Sequence, residues 1–172
     1  MDEKRIKQAE INFKNYLNEG KIKRTGFDNL IYETYLRNAR ESLNAANHLF
    51  ENKTSSLWVV VTSYYSMFYI ACAYLYKLGY KPGDEIVHQV VNESLIVQGR
   101  HKIKNHLLEN YSEEKEKASV IVDNYLENYE KEKAKRASFQ YQTTEEIKES
   151  KANTSLNRAK EFVELIREIL QK

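Results

Sequence analysis

The sequence predicts an all-α fold, an antiparallel four- to five-helix bundle preceded by a short N-terminal helix. Three observations lead there. The stretch from Ser63 to Tyr76 (SYYSMFYIACAYLY) has helical length, carries no charge, and is apolar or aromatic on every side. A helix of that kind has to be covered all round by other helices. One proline and five glycines in 172 residues are little punctuation, which favours long helices joined by short turns. Elsewhere apolar residues recur at spacings of three and four, the period of one helix face.

The elements follow in order. Residues 4–18 make an amphipathic helix with Ile6, Ala9, Phe13, Tyr16 and Leu17 on one face, ended by Gly20 as a left-handed cap. Residues 21–27 form a connector. A second helix starts at Asp28, a good N-cap, and runs to about Glu51 with Leu36, Ala39, Leu43, Ala46 and Phe50 inward. Residues 52–55 turn the chain, and Ser55 or Ser56 caps the central helix. That helix has two seams, one of Trp58, Thr62, Tyr65, Tyr69, Cys72 and Tyr76, the other of Val61, Tyr64, Phe68, Ala71 and Leu75. Two seams require at least two neighbouring helices. Residues 78–83 read as a loop, after which Asp84 caps a short helix through about Val97. Gln98 and Gly99 break it, and Ile103, Leu107 and Leu108 suggest a further turn or two. A charged helix then spans about Ser112 to Lys135, with Ala118, Ile121, Val122, Tyr125, Leu126 and Tyr129 as its stripe. Residues 136–143 read as a loop. Thr144 opens the last helix, striped by Leu156, Ala159, Val163, Ile166 and Leu170. The chain is expected to be a single domain over residues 1–172, with helix and connector in 1–27 and the bundle core in 28–172.

Composition narrows the function. Charged residues make up 30% and aromatics 12%, as in a soluble globular protein. A net charge of +2 is too small to argue for nucleic acid or an anionic membrane, so such an argument must rest on local clusters. The tyrosine-rich, serine-interrupted central helix makes a poor membrane span. Cys72 has no partner cysteine and reads as a small core residue in a reducing compartment. No signal peptide is read at the N-terminus, so a cytoplasmic location is expected.

Glu85 and His88 have the Glu-x-x-His spacing of a di-iron ligand pair, but that chemistry needs the motif twice. No second copy, phosphate-binding glycine loop or zinc spacing is present, and no cofactor is expected. The tyrosine stripe reads as core rather than as a platform for bases. Two basic clusters remain. Arg100, His101, Lys102, Lys104 and His106 form one with no acid inside it. Lys131, Lys133, Lys135 and Arg136 form another, diluted by Glu130 and Glu132. Either can neutralise phosphates, although a solvated helix face is the simpler reading of both, and more so of the second with its interspersed glutamates.

Taken together, the segments Leu17-x-x-Gly20-x-Ile22, Leu36-x-x-Ala39-x-x-x-Leu43-x-x-Ala46, Ser63-Tyr64-Tyr65-Ser66-Met67-Phe68-Tyr69-x-Ala71 and His88 resemble the HEPN superfamily. The ending, Arg136-x-x-x-x-Tyr141, Thr144-x-Glu146 and Ala159-x-x-Phe162-Val163-x-x-Ile166, is similar to its small single-domain prokaryotic branch. The resemblance implies a homodimeric bundle, a minimal nucleotidyltransferase as partner in a toxin–antitoxin-like pair, and RNA or nucleotide as ligand. Active members are metal-independent ribonucleases using an arginine followed after four to six residues by histidine. Here Arg136 is present, but Tyr141 stands where histidine is expected, and a tyrosine of ordinary pKa, about 10, is a poor general base at neutral pH. Arg136 and Tyr141 are therefore the expected site pair of a module with little or no catalysis, with His88, Arg100, Lys102, Lys104 and Lys135 as expected binding residues. Arg100 and His106 also have the ribonuclease spacing. Tyr141 is, by the same resemblance, an expected acceptor of a nucleotidyl group.

Overall fold

A computed structural model describes the backbone of residues 1–135 and 148–171, and side chains within 1–123 and 148–171. Among these residues the chain forms six helices and one small sheet: α1 (Glu3–Asn18), β1 (Ile22–Arg24), α2 (Asn29–Glu51), α3 (Ser56–Lys77), β2 (Tyr80–Pro82), α4 (Val87–Gly99), α5 (Asn105–Lys135) and α6 (Glu149–Gln171). The all-α bundle is as expected, and the caps Asp28 and Ser55 sit where the sequence placed them. Asp28 accepts from Leu30 N–H at 2.8 Å, and Ser55 accepts from Trp58 N–H at 3.3 Å.

Helix α3 is the axis. Met67, Ile70, Ala71, Ala73, Leu75 and Tyr76 are no more than 1% exposed. Each large apolar side chain buried this fully contributes about 1.5–3 kcal/mol. Its main neighbours are α2 and α6, then α5 and α4. Val59, Val60 and Val61 near its start cluster with Ala152 and Leu156 of α6, while Lys77 at its end donates to Leu170 O. Helices α3 and α6 therefore run the same way. Helix α5 opposes both, since Tyr111 meets Phe162 and Glu114 meets Arg158. By length and composition α3 could cross a membrane, but 67% of its most apolar window is buried inside the protein.

Four expectations are corrected. The connector 21–27 and the loop 78–83 pair as a two-stranded antiparallel sheet, with Ile22 opposite Pro82, Lys23 opposite Lys81 and Arg24 opposite Tyr80. Three-residue strands show no periodicity, and the segments are far apart in sequence, so local pattern could not reveal them. Gly20 (φ +72°) and Gly79 (φ +84°) make the left-handed turns that deliver the strands. Helix α4 starts at Val87 rather than being capped by Asp84. Ile86 precedes it at φ +41°, without a side-chain cap. A β-branched residue there is strained, so tertiary contacts rather than capping fix this end. Helix α5 begins at Asn105, because Leu107, Leu108 and Tyr111 are already buried as its first inward turns. Finally, Trp58 is 46% exposed. The other faces of that turn, Val59 to Val61, take the contacts with α2, α5 and α6. The expected stripe residues Tyr125, Leu126 and Tyr129 and the opening at Thr144 lie outside the described side chains and residues.

Helix α1 docks on α4 through charge as well as apolar contact. Arg5 grips Glu93 with two nitrogens, at 2.7 and 2.5 Å, and Asn12 adds a bond to the same carboxylate at 3.3 Å. The Glu93 side chain is 6% exposed.

Candidate functional site

His88 lies in the first turn of α4, held against the aromatic face of α3. Its Nδ1 shares a 2.8 Å hydrogen bond with the Tyr64 hydroxyl. Its ring is 4.4 Å from Phe68, 5.5 Å from Tyr64 and 5.7 Å from Tyr65 between centroids. The sequence brings these together simply. Tyr64, Tyr65 and Phe68 lie within one helical turn, and the short β2–α4 link returns His88 to them. Burial lowers the imidazole pKa below its usual value near 6.5, and the nearby Lys115 ammonium lowers it further. Burial also pushes the Tyr64 hydroxyl well up. At neutral pH both are therefore uncharged. With the proton on Nε2, His88 accepts from Tyr64 and carries its N–H on the other nitrogen. With the proton on Nδ1, Tyr64 accepts and Nε2 is free to take a proton.

A polar seam continues inward. Tyr64 lies 5.9 Å from Tyr111, ring to ring, and Tyr111 stacks on Phe162 at 5.4 Å. One turn beyond Tyr111, the fully buried Glu114 accepts from Arg158 at 2.9 Å and from Lys117 at 2.7 Å. Arg158 uses the same nitrogen to reach Glu113 at 2.6 Å. Among the described residues, the hydroxyls of Ser63, Tyr111 and Ser155 and one oxygen of Glu114 are buried with no hydrogen-bond partner. Such groups are costly, and in native proteins they are usually satisfied by water or a ligand. Cys72 is buried, and burial raises its thiol pKa, so it is inert as a nucleophile.

The structure separates the other sequence candidates. Arg100 binds Glu10 of α1 at 2.7 Å and lies beside His101 at 3.2 Å, whereas His106 faces Glu161 of α6 at 3.2 Å. The two thus have different carboxylate partners and do not converge. Lys102 and Lys104 are exposed in the turn between α4 and α5. His88 and Arg100 sit at opposite ends of α4, about 18 Å apart along its axis. Arg136 and Tyr141 lie outside the described residues, as does the side chain of Lys135. Among the described residues no three His, Cys, Asp or Glu are placed to hold a metal ion.

A family model, the HEPN domain, matches residues 32–169, from the start of α2 to the end of α6. This chain belongs to the HEPN family. No curated protein matches it. Membership marks the bundle as a nucleotide- or RNA-related helical module. In this HEPN domain His88, Tyr64, Lys115, Glu114 and Arg158 all lie inside the matched span, while α1 and β1 precede it.

Sequence reasoning found His88 but missed the pairing of buried Glu114 with Arg158. One signal was available: Tyr111, Glu114, Ala118 and Ile121 follow one helical stripe, so Glu114 is an acid on an apolar face. Ser155, Arg158 and Phe162 carry the matching signal on α6.

The lowered His88 pKa has a measurable consequence. A group whose folded pKa is depressed contributes stability above its unfolded pKa and loses it as pH falls through the folded value. For His88 the stability is full above about pH 6.5 and declines at more acidic pH. Urea unfolding of the wild type and of His88→Gln at pH 7.5 and about pH 5 checks this. The wild type should lose stability relative to the variant at the acidic pH. Parallel losses in both proteins would show that His88 is not held neutral.

Proposed function

We propose that this HEPN domain is a homodimeric module that binds RNA or nucleotide and works with a nucleotidyltransferase partner, with little or no catalysis of its own. The observation that carries this reading is the His88 corner. A neutral imidazole lies beside half-buried Tyr65 and within the field of Lys115, inside the family-matched span. Most of the tyrosine stripe is core, but Tyr65 and Tyr69 are half-buried, and their ring faces are the ones on which bases stack. Lys115, which pairs with Glu116 at 2.6 Å, turns to the phosphate, and Nε2 of His88, the nitrogen not bonded to Tyr64, makes a hydrogen bond to a phosphate oxygen or base edge. Arg100, Lys102, Lys104 and Lys135 extend the phosphate contacts. Arg136 holds a phosphate, and Tyr141 is the residue the partner modifies.

The test is a titration with labelled single-stranded RNA and with nucleotides. Tyr65→Ala should weaken binding about ten-fold or more, the usual worth of one stacked base. If the wild type binds neither RNA nor nucleotide, and co-expression with a neighbouring nucleotidyltransferase yields no complex, this function is ruled out. An unchanged intact mass after that co-expression removes the role of Tyr141.

A second reading, a metal-independent endoribonuclease toxin, is favoured by the Tyr64–His88 hydrogen bond. In the Nδ1–H tautomer the free Nε2 of His88 takes the proton of an attacking 2′-hydroxyl, and Arg136 stabilises the charge developing on phosphorus. Chelator-resistant RNA cleavage abolished in both His88→Ala and Arg136→Ala supports it. Cleavage that persists in either variant excludes it. A protein-interaction scaffold, by contrast, would show no salt-dependent RNA affinity.

A further inference from the structure

The two-stranded sheet has a feature that its own stability does not explain. Lys23 and Lys81 are directly opposite each other in the register, and both are exposed. Ile22, Tyr80 and Pro82 beside them are buried, so the pair forms an outward rung, next to the exposed Arg24, whose guanidinium lies over the Tyr80 ring at 4.7 Å. Side chains in such a rung leave the backbone about 5 Å apart, and like charges placed there oppose pairing. Neither ammonium forms an ion pair among the described residues. Glu19 is taken by Lys21 at 2.7 Å, and Glu85, exposed with Asp84 in the link after β2, also acts on Lys21. The rung is also rigidly built. Gly83 N–H bonds Lys21 O at 2.8 Å, and Thr25 N–H bonds Gly79 O at 3.0 Å. A Cβ on Gly83 would come within 3.3 Å of Lys21 O, so the backbones meet more closely than most side chains would allow. The sheet adjoins the end of α4 that carries His88, linked by residues 83–86.

We propose that Lys23 and Lys81 form a contact site for the phosphate backbone of an RNA strand whose bases reach the His88 corner. This rests on the RNA-binding reading above and extends it to β1, which precedes the family-matched span. Two opposed ammonium groups that form no ion pair among the described residues favour a phosphate oxygen, which removes their mutual repulsion and releases counterions.

The experiment is a titration of short fluorescein-labelled single-stranded RNA against the full chain and against Lys23→Gln/Lys81→Gln, across a salt series from about 50 to 200 mM. For a single strand the double variant should lower the slope of log K against log salt by about 1.4, and affinity by on the order of ten-fold near 0.1 M. Thermal unfolding of the same proteins gives an independent readout. Relief of the repulsion should raise the Tm of the variant by about 1 °C at low salt, and the gain should vanish at high salt. Weaker RNA binding by a protein that is no less stable supports the site. If the wild type binds RNA and the variant has the same slope and affinity, the site is overturned while the RNA reading stands. In that case the lysines serve only to keep the sheet edge from pairing. If the wild type binds no RNA, both fall.

Discussion

Arg5→Ala is expected to lower the unfolding free energy by about 2–4 kcal/mol, because it strands a carboxylate that water scarcely reaches. Glu93 is 6% exposed and takes its two shortest bonds from Arg5, with the Asn92 amide donating at 3.3 Å. Asn12, at 3.3 Å, is its weaker partner from α1. The guanidinium is itself 34% exposed, which places the loss in the lower half of that range. The control is Arg5→Met/Glu93→Gln, which removes both charges and keeps most of the volume. It should cost less than about half as much, since the penalty lies in the unpaired charge rather than in losing the pair. Urea unfolding measures both variants, and amide exchange in α1 reports whether α1 leaves α4. A loss below about 0.5 kcal/mol for Arg5→Ala would mean that Glu93 is hydrated and that α1 is held by its apolar face alone.

Phe162→Ala is expected to cost about 3–5 kcal/mol. Phe162 is fully buried and stacks on Tyr111 at an interplanar angle of 27°. The substitution removes the transfer energy of the ring and leaves a cavity at the junction of α5 and α6. It also removes one wall from Tyr111, whose hydroxyl is buried with no hydrogen-bond partner among the described residues. Phe162→Leu keeps most of the volume and should cost less than about 1.5 kcal/mol. Chemical denaturation gives both values. Near-equal losses for Ala and Leu would show that the site collapses freely and that the α5–α6 contact is loose. The effect should propagate to His88 through Tyr111 and Tyr64, because α5 and α3 share that packing. Its NMR titration should then move toward the ordinary histidine range in Phe162→Ala as the corner hydrates.

Much of the fold was legible in the chain because helices announce themselves locally. The all-round apolar stretch identified α3 as the buried axis, and Asp28 and Ser55 marked helix starts, since capping joins residues only two or three positions apart. The stripes of α2 and α6 were equally plain. The small sheet was not, because its three rungs join residues nearly sixty positions apart in runs too short to show alternation. The start of α4 was misplaced for a related reason. Asp84 is a good cap by type, yet packing of α4 on α1, α3 and the sheet sets the helix from Val87 at the expense of a strained Ile86.

The site divides in the same way. His88 stood out by residue type, and the family by the Tyr-Tyr-Ser-Met-Phe core together with its flanking segments. The sequence by itself determined that this is a helical bundle with one sheathed axis, because the 3.6-residue period and the burial of an uncharged helix are consequences of local composition. Tertiary structure alone decided what surrounds His88, that Glu93 answers Arg5, that Glu114 answers Arg158, and that Lys23 faces Lys81. Each of those pairings crosses between elements, and electrostatics acts through distance in space, which the order of residues along a chain does not encode.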